Sequence, residues 1–216
     1  MAKAKTAGST KAKAQTGLPP WLERALQGVV FWMGLKRAYY AHYNLSEGAI
    51  VDELTSLLAA TIGASGTGYK VTRELKKERL TGQKSKKGRG RKPAVDIAVE
   101  RGGRGAPSEP VMCLEVKRVG NPFAGDIKKL AGYKKTNGGS WRAFVIVVGD
   151  KRPTDLVTDN GFAKKAPLTT KAGFPYAVRR VCKAIPTARL VAKKPKKPKN
   201  PPSVGTGFWV CALEVL

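Results

Sequence analysis

Three side chains that could carry out hydrolytic chemistry fall together in the pattern of the sequence: Asp96, Glu115 and Lys117. Apolar and polar residues alternate around them, as in half-buried strands, so Glu115 and Lys117 share one face of a strand. The glycine- and proline-rich segment 101–110 is suited to reversing the chain, and a hairpin there would bring Asp96 near Glu115. Two carboxylates and one ammonium at one point are the groups that a metal-dependent phosphodiesterase needs.

Magnesium fits this set because it is a hard cation that binds through one or two carboxylates together with waters and substrate phosphate oxygens. We expect Asp96 and Glu115 to bind Mg²⁺, with Mn²⁺ able to substitute, and the carbonyl of Val116 to be a further ligand. Lys117 would face the same pocket. It could orient or deprotonate the attacking water and stabilise charge that develops on the scissile phosphate.

The surrounding segments follow an order of helix, three strands, helix and strand. The expected helices cover about 46–63 and 124–135, and the expected strands cover 69–75, 94–100, 111–119 and 143–148. The last run is continuously apolar, as in a strand buried on both faces. A strand, a helix and a buried strand in succession form a crossover unit, so the sequence predicts an α/β fold.

Asp96, the spacer and Glu115-x-Lys117 in this order resemble the core motif of the PD-(D/E)XK nuclease superfamily, the restriction-endonuclease-like fold. The resemblance covers about residues 46–149. It implies an α/β restriction-endonuclease-like core, a mixed central sheet flanked by helices and bordered by basic flexible arms. It also implies Mg²⁺-dependent hydrolysis of phosphodiester bonds, with DNA a more natural substrate than RNA and an endonuclease as the expected type.

An additional acid is expected on the first helix of that core, because members of this superfamily commonly place an active-site Glu there. Glu47 falls within the apolar stripe of the helical wheel, where an acid needs a partner, so the resemblance points to Glu47, with Glu53 as the alternative. Glu47 could instead be an acid in the first turn that the helix dipole favours. The sequence leaves these alternatives open.

Two simpler interpretations apply to the strand residues. Glu115 and Lys117 could form an ordinary charge pair on a solvated face of the sheet. Cys113 shares their face and is interpreted as a small packing residue, because no histidine is near it in sequence to activate a thiol.

The charge of the chain indicates a polyanionic partner. Lys and Arg number 41 against 15 for Asp and Glu, which gives a net charge of +26 and draws nucleic acid by counterion release. The segment 82–92 is expected to be a flexible loop that serves as a phosphate-binding arm, although such a loop is common in any basic protein. The candidate nucleic-acid contacts are Lys84, Lys86, Lys87, Arg89, Arg91, Lys92 and Lys128.

We expect one domain over 19–216, preceded by a basic disordered arm over 1–18 and extended beyond the core by residues 150–216 with a Lys/Pro-rich loop at 193–204. A helix expected over 21–43 could pack on the core or pair with a second subunit in a homodimer. The arm lacks a hydrophobic segment, and the apolar part of that helix is too short to cross a bilayer, so we expect no membrane association. Cys113, Cys182 and Cys211 are odd in number and have no zinc-like spacing, which indicates a reducing interior. The expected location is cytoplasmic and nucleoid-associated.

Two functions of other classes remain compatible with the sequence. One is a non-enzymatic basic protein that binds DNA or RNA, including a nuclease fold with an inactive site. The other is an RNA-binding accessory protein, for which lysine-rich arms are typical.

Overall fold

Within the part of the chain that the computed structural model describes, seven strands form one mixed sheet. The structure describes residues 17–39, 46–83, 93–103, 106–136, 141–165, 167–184 and 206–216. The strands are β1 (Tyr69–Lys76), β2 (Ala94–Gly103), β3 (Ala106–Arg118), β4 (Arg142–Lys151), β5 (Leu168–Thr169), β6 (Pro175–Ala184) and β7 (Thr206–Val215). Their order is β1-β2-β3-β4-β7-β6-β5, with β3 and β4 parallel and the other neighbours antiparallel. The α/β class and the mixed sheet predicted from the sequence are confirmed.

Helices cover both faces of this sheet. They are α1 (Pro20–Tyr39), α2 (Glu47–Ser65), α3 (Lys77–Thr81) and α4 (Ala124–Thr136). Helices α1 and α2 belong to the apolar core on one face, and α3 and α4 belong to the core on the other. Helix α1 corresponds to the helix expected over 21–43. Its apolar side packs on the core through Leu22, Leu26, Val29, Val30 and Met33.

Helix α2 begins as predicted and ends later than predicted. The hydroxyl of Ser46 accepts a hydrogen bond of 3.1 Å from the N–H of Ala49, which caps the first turn. The expected stop at Gly63 is wrong, because the helix continues to Ser65 and ends at Gly66, whose φ of 64° lies in the left-handed region. Glycine adopts that conformation without the steric cost that a Cβ imposes, so it is the second of the two glycines that ends the helix.

The turn between β2 and β3 is shorter than the segment 101–110 suggested. Strand β2 continues to Gly103 and β3 starts at Ala106, so most of the glycine- and proline-rich stretch lies within strands. The register shifts between Val99 and Glu100, where Pro110 lies opposite Glu100. A proline lacks the N–H that a regular ladder needs, and such an irregularity accommodates it.

The crossover unit is confirmed, since β3 and β4 are parallel and α4 connects them. Strand β4 is buried on both faces from Ala143 to Val148, in agreement with its continuous apolar run. The final strand is β7, and it lies between β4 and β6. Helix α3 and strands β5 and β6 were not predicted.

Several sequence predictions fall on residues outside the described ranges. These include the N-terminal arm up to residue 16, the end of the first predicted helix beyond Tyr39, most of the basic segment 82–92 and the loop 193–204. Among the described helices, none is long and apolar enough to span a bilayer.

Candidate active site

Asp96 lies at the point where β2 and β3 separate. The register between these strands runs as far as Ile97 opposite Leu114. Beyond that pair, Oδ2 of Asp96 accepts a hydrogen bond of 2.8 Å from the N–H of Val116. The carboxylate therefore takes the place of a strand partner for this amide, and the contact holds Asp96 against the segment of β3 that carries Glu115 and Lys117.

Glu115 is a buried carboxylate, only 2% exposed, on the face of the sheet that α4 covers. Its Oε1 accepts a hydrogen bond of 2.6 Å from Nζ of Lys129 on α4. Burial, reinforced by the negative charge of Asp96, raises the pKa of Glu115 to about 7, although Lys129 acts in the opposite direction. Near neutral pH this group therefore exchanges a proton readily, whereas an ordinary Glu would be fully ionised.

Lys117 joins the two helical layers at this end of the sheet. Its Nζ lies 3.0 Å from Oε1 of Glu47 on α2 and 3.7 Å from Oδ2 of Asp126 on α4. Burial disfavours the ammonium form, but the hydrogen bond to Glu47 and the charges of Asp126, Glu47 and Asp96 outweigh burial and raise the pKa of Lys117. Lys117 is thus held as a cation among three carboxylates.

Asp126 completes the acidic side of the cluster. Burial raises its pKa; Lys117 and Lys129 act against this rise, and Asp96 and Glu47 add to it. Asp126 and Lys129 are three residues apart on α4, which places them on neighbouring positions of one helical face. The carboxylate–ammonium cluster consists of Glu47, Asp96, Glu115, Lys117, Asp126 and Lys129.

The four residues predicted to be catalytic, Asp96, Glu115, Lys117 and Glu47, all belong to this cluster. The acid of α2 that hydrogen-bonds Lys117 is Glu47, the first of the two alternatives, and not Glu53. Glu47 is thus more than an acid of the first helical turn.

The other predicted positions have mixed outcomes. Val116 places its side chain in the core of the opposite face and its N–H against Asp96, and the role of its carbonyl as a metal ligand stays a prediction. Lys128 is exposed on α4, next to Lys129. Cys113 is buried, and burial raises the pKa of its thiol, as suits a packing residue. The remaining predicted contacts lie outside the described residues: Lys84, Lys86, Lys87, Arg89, Arg91 and Lys92.

Sequence reasoning assigned no role to Asp126 and Lys129. The available signal was their three-residue spacing on the helix that directly follows Lys117, because the start of this helix returns towards the end of β3. The charges of these two residues were visible in the sequence, but their approach to Lys117 and Glu115 depends on how α4 packs on the sheet.

The donor groups of the cluster determine whether a metal ion fits this site. Within the described segments, no three or more His, Cys, Asp and Glu side chains are arranged as a ready metal-binding group. The chemistry of the donors nevertheless suits a divalent cation. Four carboxylates face two ammonium groups, which leaves a formal charge of −2 when all are ionised, in a chain whose net charge is +26.

Comparisons with known proteins give no family assignment. No family model matches the chain, and neither the curated proteins nor the solved structures provide a match. The function is therefore argued from the carboxylate–ammonium cluster itself.

Proposed function

We propose that the carboxylate–ammonium cluster binds Mg²⁺ and hydrolyses phosphodiester bonds, so that the protein is a metal-dependent nuclease with a restriction-endonuclease-like core. The observation that carries this proposal is the local excess of carboxylates. Asp96, Glu115 and their neighbours gather negative charge at one point of a strongly basic chain. Such a gathering raises the energy of the protein unless a cation resides there.

Asp96 and Glu115 would supply the oxygens that hold the ion. Asp96 uses Oδ2 for the N–H of Val116, which leaves Oδ1 for a metal and fixes the orientation of the carboxylate. Glu115 would lose both its proton and its contact with Lys129 when it binds the ion. In the absence of metal, Lys129 then serves as the counter-ion of Glu115.

Mg²⁺, when bound, supplies a polarised water and neutralises charge on the phosphate. Lys117 has a raised pKa and retains its proton, so we assign it to orienting the water and stabilising the phosphate charge, not to deprotonation. Glu47 positions Lys117 through their 3.0 Å contact. The first turns of α2 and α4 both approach the site, and their dipoles favour an anion such as a phosphate.

DNA is the proposed substrate, and the basic composition would bind it largely through phosphates, with an affinity that falls as salt rises. A homodimer would allow both strands to be cut, and the exposed Phe31 and Leu35 of α1 offer apolar surface for one.

A second function is favoured by one observation. Lys129 already neutralises Glu115, and the described carboxylates do not form a ready group of three ligands. A fold with an inactive site that only binds DNA or RNA would have the same arrangement. The two functions differ in whether a divalent ion displaces Lys129.

Cleavage of supercoiled plasmid in Mg²⁺ and in chelator distinguishes them. We expect the wild type to nick plasmid only with Mg²⁺ or Mn²⁺, and Asp96→Asn and Lys117→Ala to lose cleavage while still shifting DNA in a gel. Asp96→Asn keeps an oxygen for the N–H of Val116, so the strand contact survives. Asp52→Asn and Lys135→Ala alter exposed residues outside the cluster and should cut normally.

Two results would reject the enzymatic proposal: a wild type that binds DNA but does not cut DNA or RNA in either metal, or cluster variants that cut as fast as the wild type. Linear, circular, single-stranded and RNA substrates in the same assay would define the substrate class.

A further inference from the structure

A cleft opens beside the carboxylate–ammonium cluster, at the C-terminal ends of the parallel strands β3 and β4. Its volume is about 630 Å³, and it is bounded by the β3–α4 loop, the segment after β4 and the start of β6. Ligand pockets commonly measure about 300–1,000 Å³. In open α/β sheets, the crevice outside the carboxyl ends of parallel strands is the usual place for a ligand.

None of the six cluster residues lines this cleft, but two residues that do line it are neighbours of Lys117 across the sheet and of Asp126 along the chain. Val147 lines the cleft and lies opposite Lys117 in the register of β3 and β4. Neighbouring strands are about 4.8 Å apart, so only one strand spacing separates the backbone of Lys117 from this wall. Ala124 lines the same cleft, and Asp126, two residues further on, contacts Lys117. A group bound in the cleft would therefore neighbour a phosphate at the cluster.

Two aromatic rings form part of the wall. Phe123 and Tyr176 meet edge to face, with ring centroids 5.9 Å apart and an interplanar angle of 80°. Tyr176 is buried, whereas Phe123 remains partly exposed. A partly exposed ring that a second ring holds in place offers a surface on which a nucleobase can stack.

Charged groups line the cleft near these rings. Arg152 and Lys171 supply positive charge for a phosphate, and Asp155 supplies an acceptor for the amino group of a base. Arg152 donates to the carboxylate of Asp159 at 2.7 Å and to its carbonyl oxygen at 3.0 Å, but the side chain of Asp159 is 96% exposed, so the ion pair is weak and can yield to a phosphate. Asp155 repels phosphate from its own part of the cleft.

We propose that this cleft receives one nucleobase of the strand that is cut, with an adjacent phosphate against Arg152 and Lys171. This inference rests on the proposed nuclease function and specifies its substrate class. A base within a duplex cannot enter a pocket without leaving the stack, and extrusion is easiest where the base is unpaired. The preferred substrate is therefore single-stranded or locally unpaired nucleic acid.

Binding measurements in EDTA test the cleft without cleavage. The probes are a labelled duplex with one unpaired 2-aminopurine and the matching fully paired duplex. We expect the wild type to bind the unpaired probe more tightly and the fluorescence of 2-aminopurine to change as the base stacks. Phe123→Ala should weaken binding of the unpaired probe about tenfold and leave the paired probe unchanged. Phe162→Ala, a matched change of a 72% exposed ring that does not line the cleft, should alter neither.

A second pair of variants covers the case in which Phe123→Ala does not fold. Lys171→Glu and Lys165→Glu both reverse an exposed charge, but only Lys171 lines the cleft. Both variants should bind the two probes more weakly than the wild type, because each loses a positive charge. Only Lys171→Glu should also reduce the preference for the unpaired probe. Equal preferences in these two variants, or a wild type with no preference, would overturn the cleft assignment.

The cleft and the nuclease proposal fail separately. If Asp96→Asn cuts like the wild type while Phe123→Ala loses the preference for the unpaired probe, the active-site assignment is wrong and the cleft stands. If Asp96→Asn abolishes cutting while Phe123→Ala binds both probes normally, the nuclease stands and the cleft assignment is wrong.

Discussion

Ionisation of Glu115 should lower the free energy of unfolding, because the ionised carboxylate is buried. The pKa of this carboxyl is raised from 4.5 to about 7. At about 1.4 kcal/mol for each pH unit, this difference corresponds to about 3 kcal/mol, of which about 2–3 kcal/mol falls between pH 5 and pH 8. Because the pKa is higher in the folded protein, the stabilising contribution is complete below the unfolded value of 4.5. It is lost as the pH rises through about 7.

The change Glu115→Gln removes this dependence, because a neutral amide has no proton to lose. We expect urea unfolding in EDTA to show that Glu115→Gln gains about 2–3 kcal/mol over the wild type between pH 5 and pH 8. The comparison of two proteins at two pH values cancels the titration of groups that do not interact with Glu115. Adding Mg²⁺ at pH 8 should then stabilise the wild type more than the variant, because the ion binds the ionised carboxylate.

Glu214 is a control of opposite sign. Burial favours its neutral form, but hydrogen bonds from Arg142 and Arg179 outweigh burial and lower the pKa of Glu214. Its stabilising contribution is present above the ordinary pKa of 4.5 and is lost as the pH falls. Glu214→Gln should therefore destabilise the protein at pH 8.

If the free energies of unfolding of Glu115→Gln and the wild type change in parallel from pH 5 to pH 8, Glu115 ionises without cost and our reasoning on the cluster is wrong.

Three further predictions concern positioning and stability. Glu47→Ala should lower the rate of plasmid cleavage at least tenfold, because it removes the oxygen that accepts from Lys117, whereas Glu53→Ala should not, and equal rates would exclude this role for Glu47. Arg79→Met should cost about 1–3 kcal/mol in urea unfolding, because the guanidinium lies 2.8 Å from the fully buried carboxylate of Glu100. The exposed ion pair of Arg73 with Asp52 should contribute less than about 1 kcal/mol to the free energy of unfolding. Similar losses in Arg79→Met and Arg73→Met would therefore contradict the larger effect expected at Arg79. Gly149→Ala should destabilise by about 1–3 kcal/mol, since a Cβ there would lie 2.6 Å from Cβ of Val119, and an unchanged free energy of unfolding would show that the loop after β3 can yield.

The sequence predicted the elements whose signals are local. Alternation around Asp96 and Glu115, the start of a helix near residue 46 and the continuous apolar run of β4 each depend on neighbouring residues, and a strand or helix forms at each of these places. The extent of β2 and β3 was underestimated, because glycine and proline usually mark a turn, whereas pairing between the two strands keeps much of this stretch extended.

The part of the site that lies on β2 and β3 could be predicted from the alternation of polar and apolar residues along the strands. Two carboxylates and Lys117 follow from residue types and spacing on adjoining strands. The contact of Lys117 with both Glu47 and Asp126 depends on two helices that approach from opposite faces of the sheet, and single-strand periodicity contains no such information. The pairing of Lys129 with Glu115 likewise required the packed position of α4.

The most direct test of the central claim is the anomalous signal of a crystal soaked in Mn²⁺. We predict one ion in direct contact with carboxylate oxygens of Asp96 and Glu115, with the ammonium of Lys129 moved away from Glu115 and Glu47 still beside Lys117. An intact contact between Lys129 and Glu115 at saturating Mn²⁺, with no ion at Asp96, would contradict the claim that this cluster is a metal-dependent catalytic site.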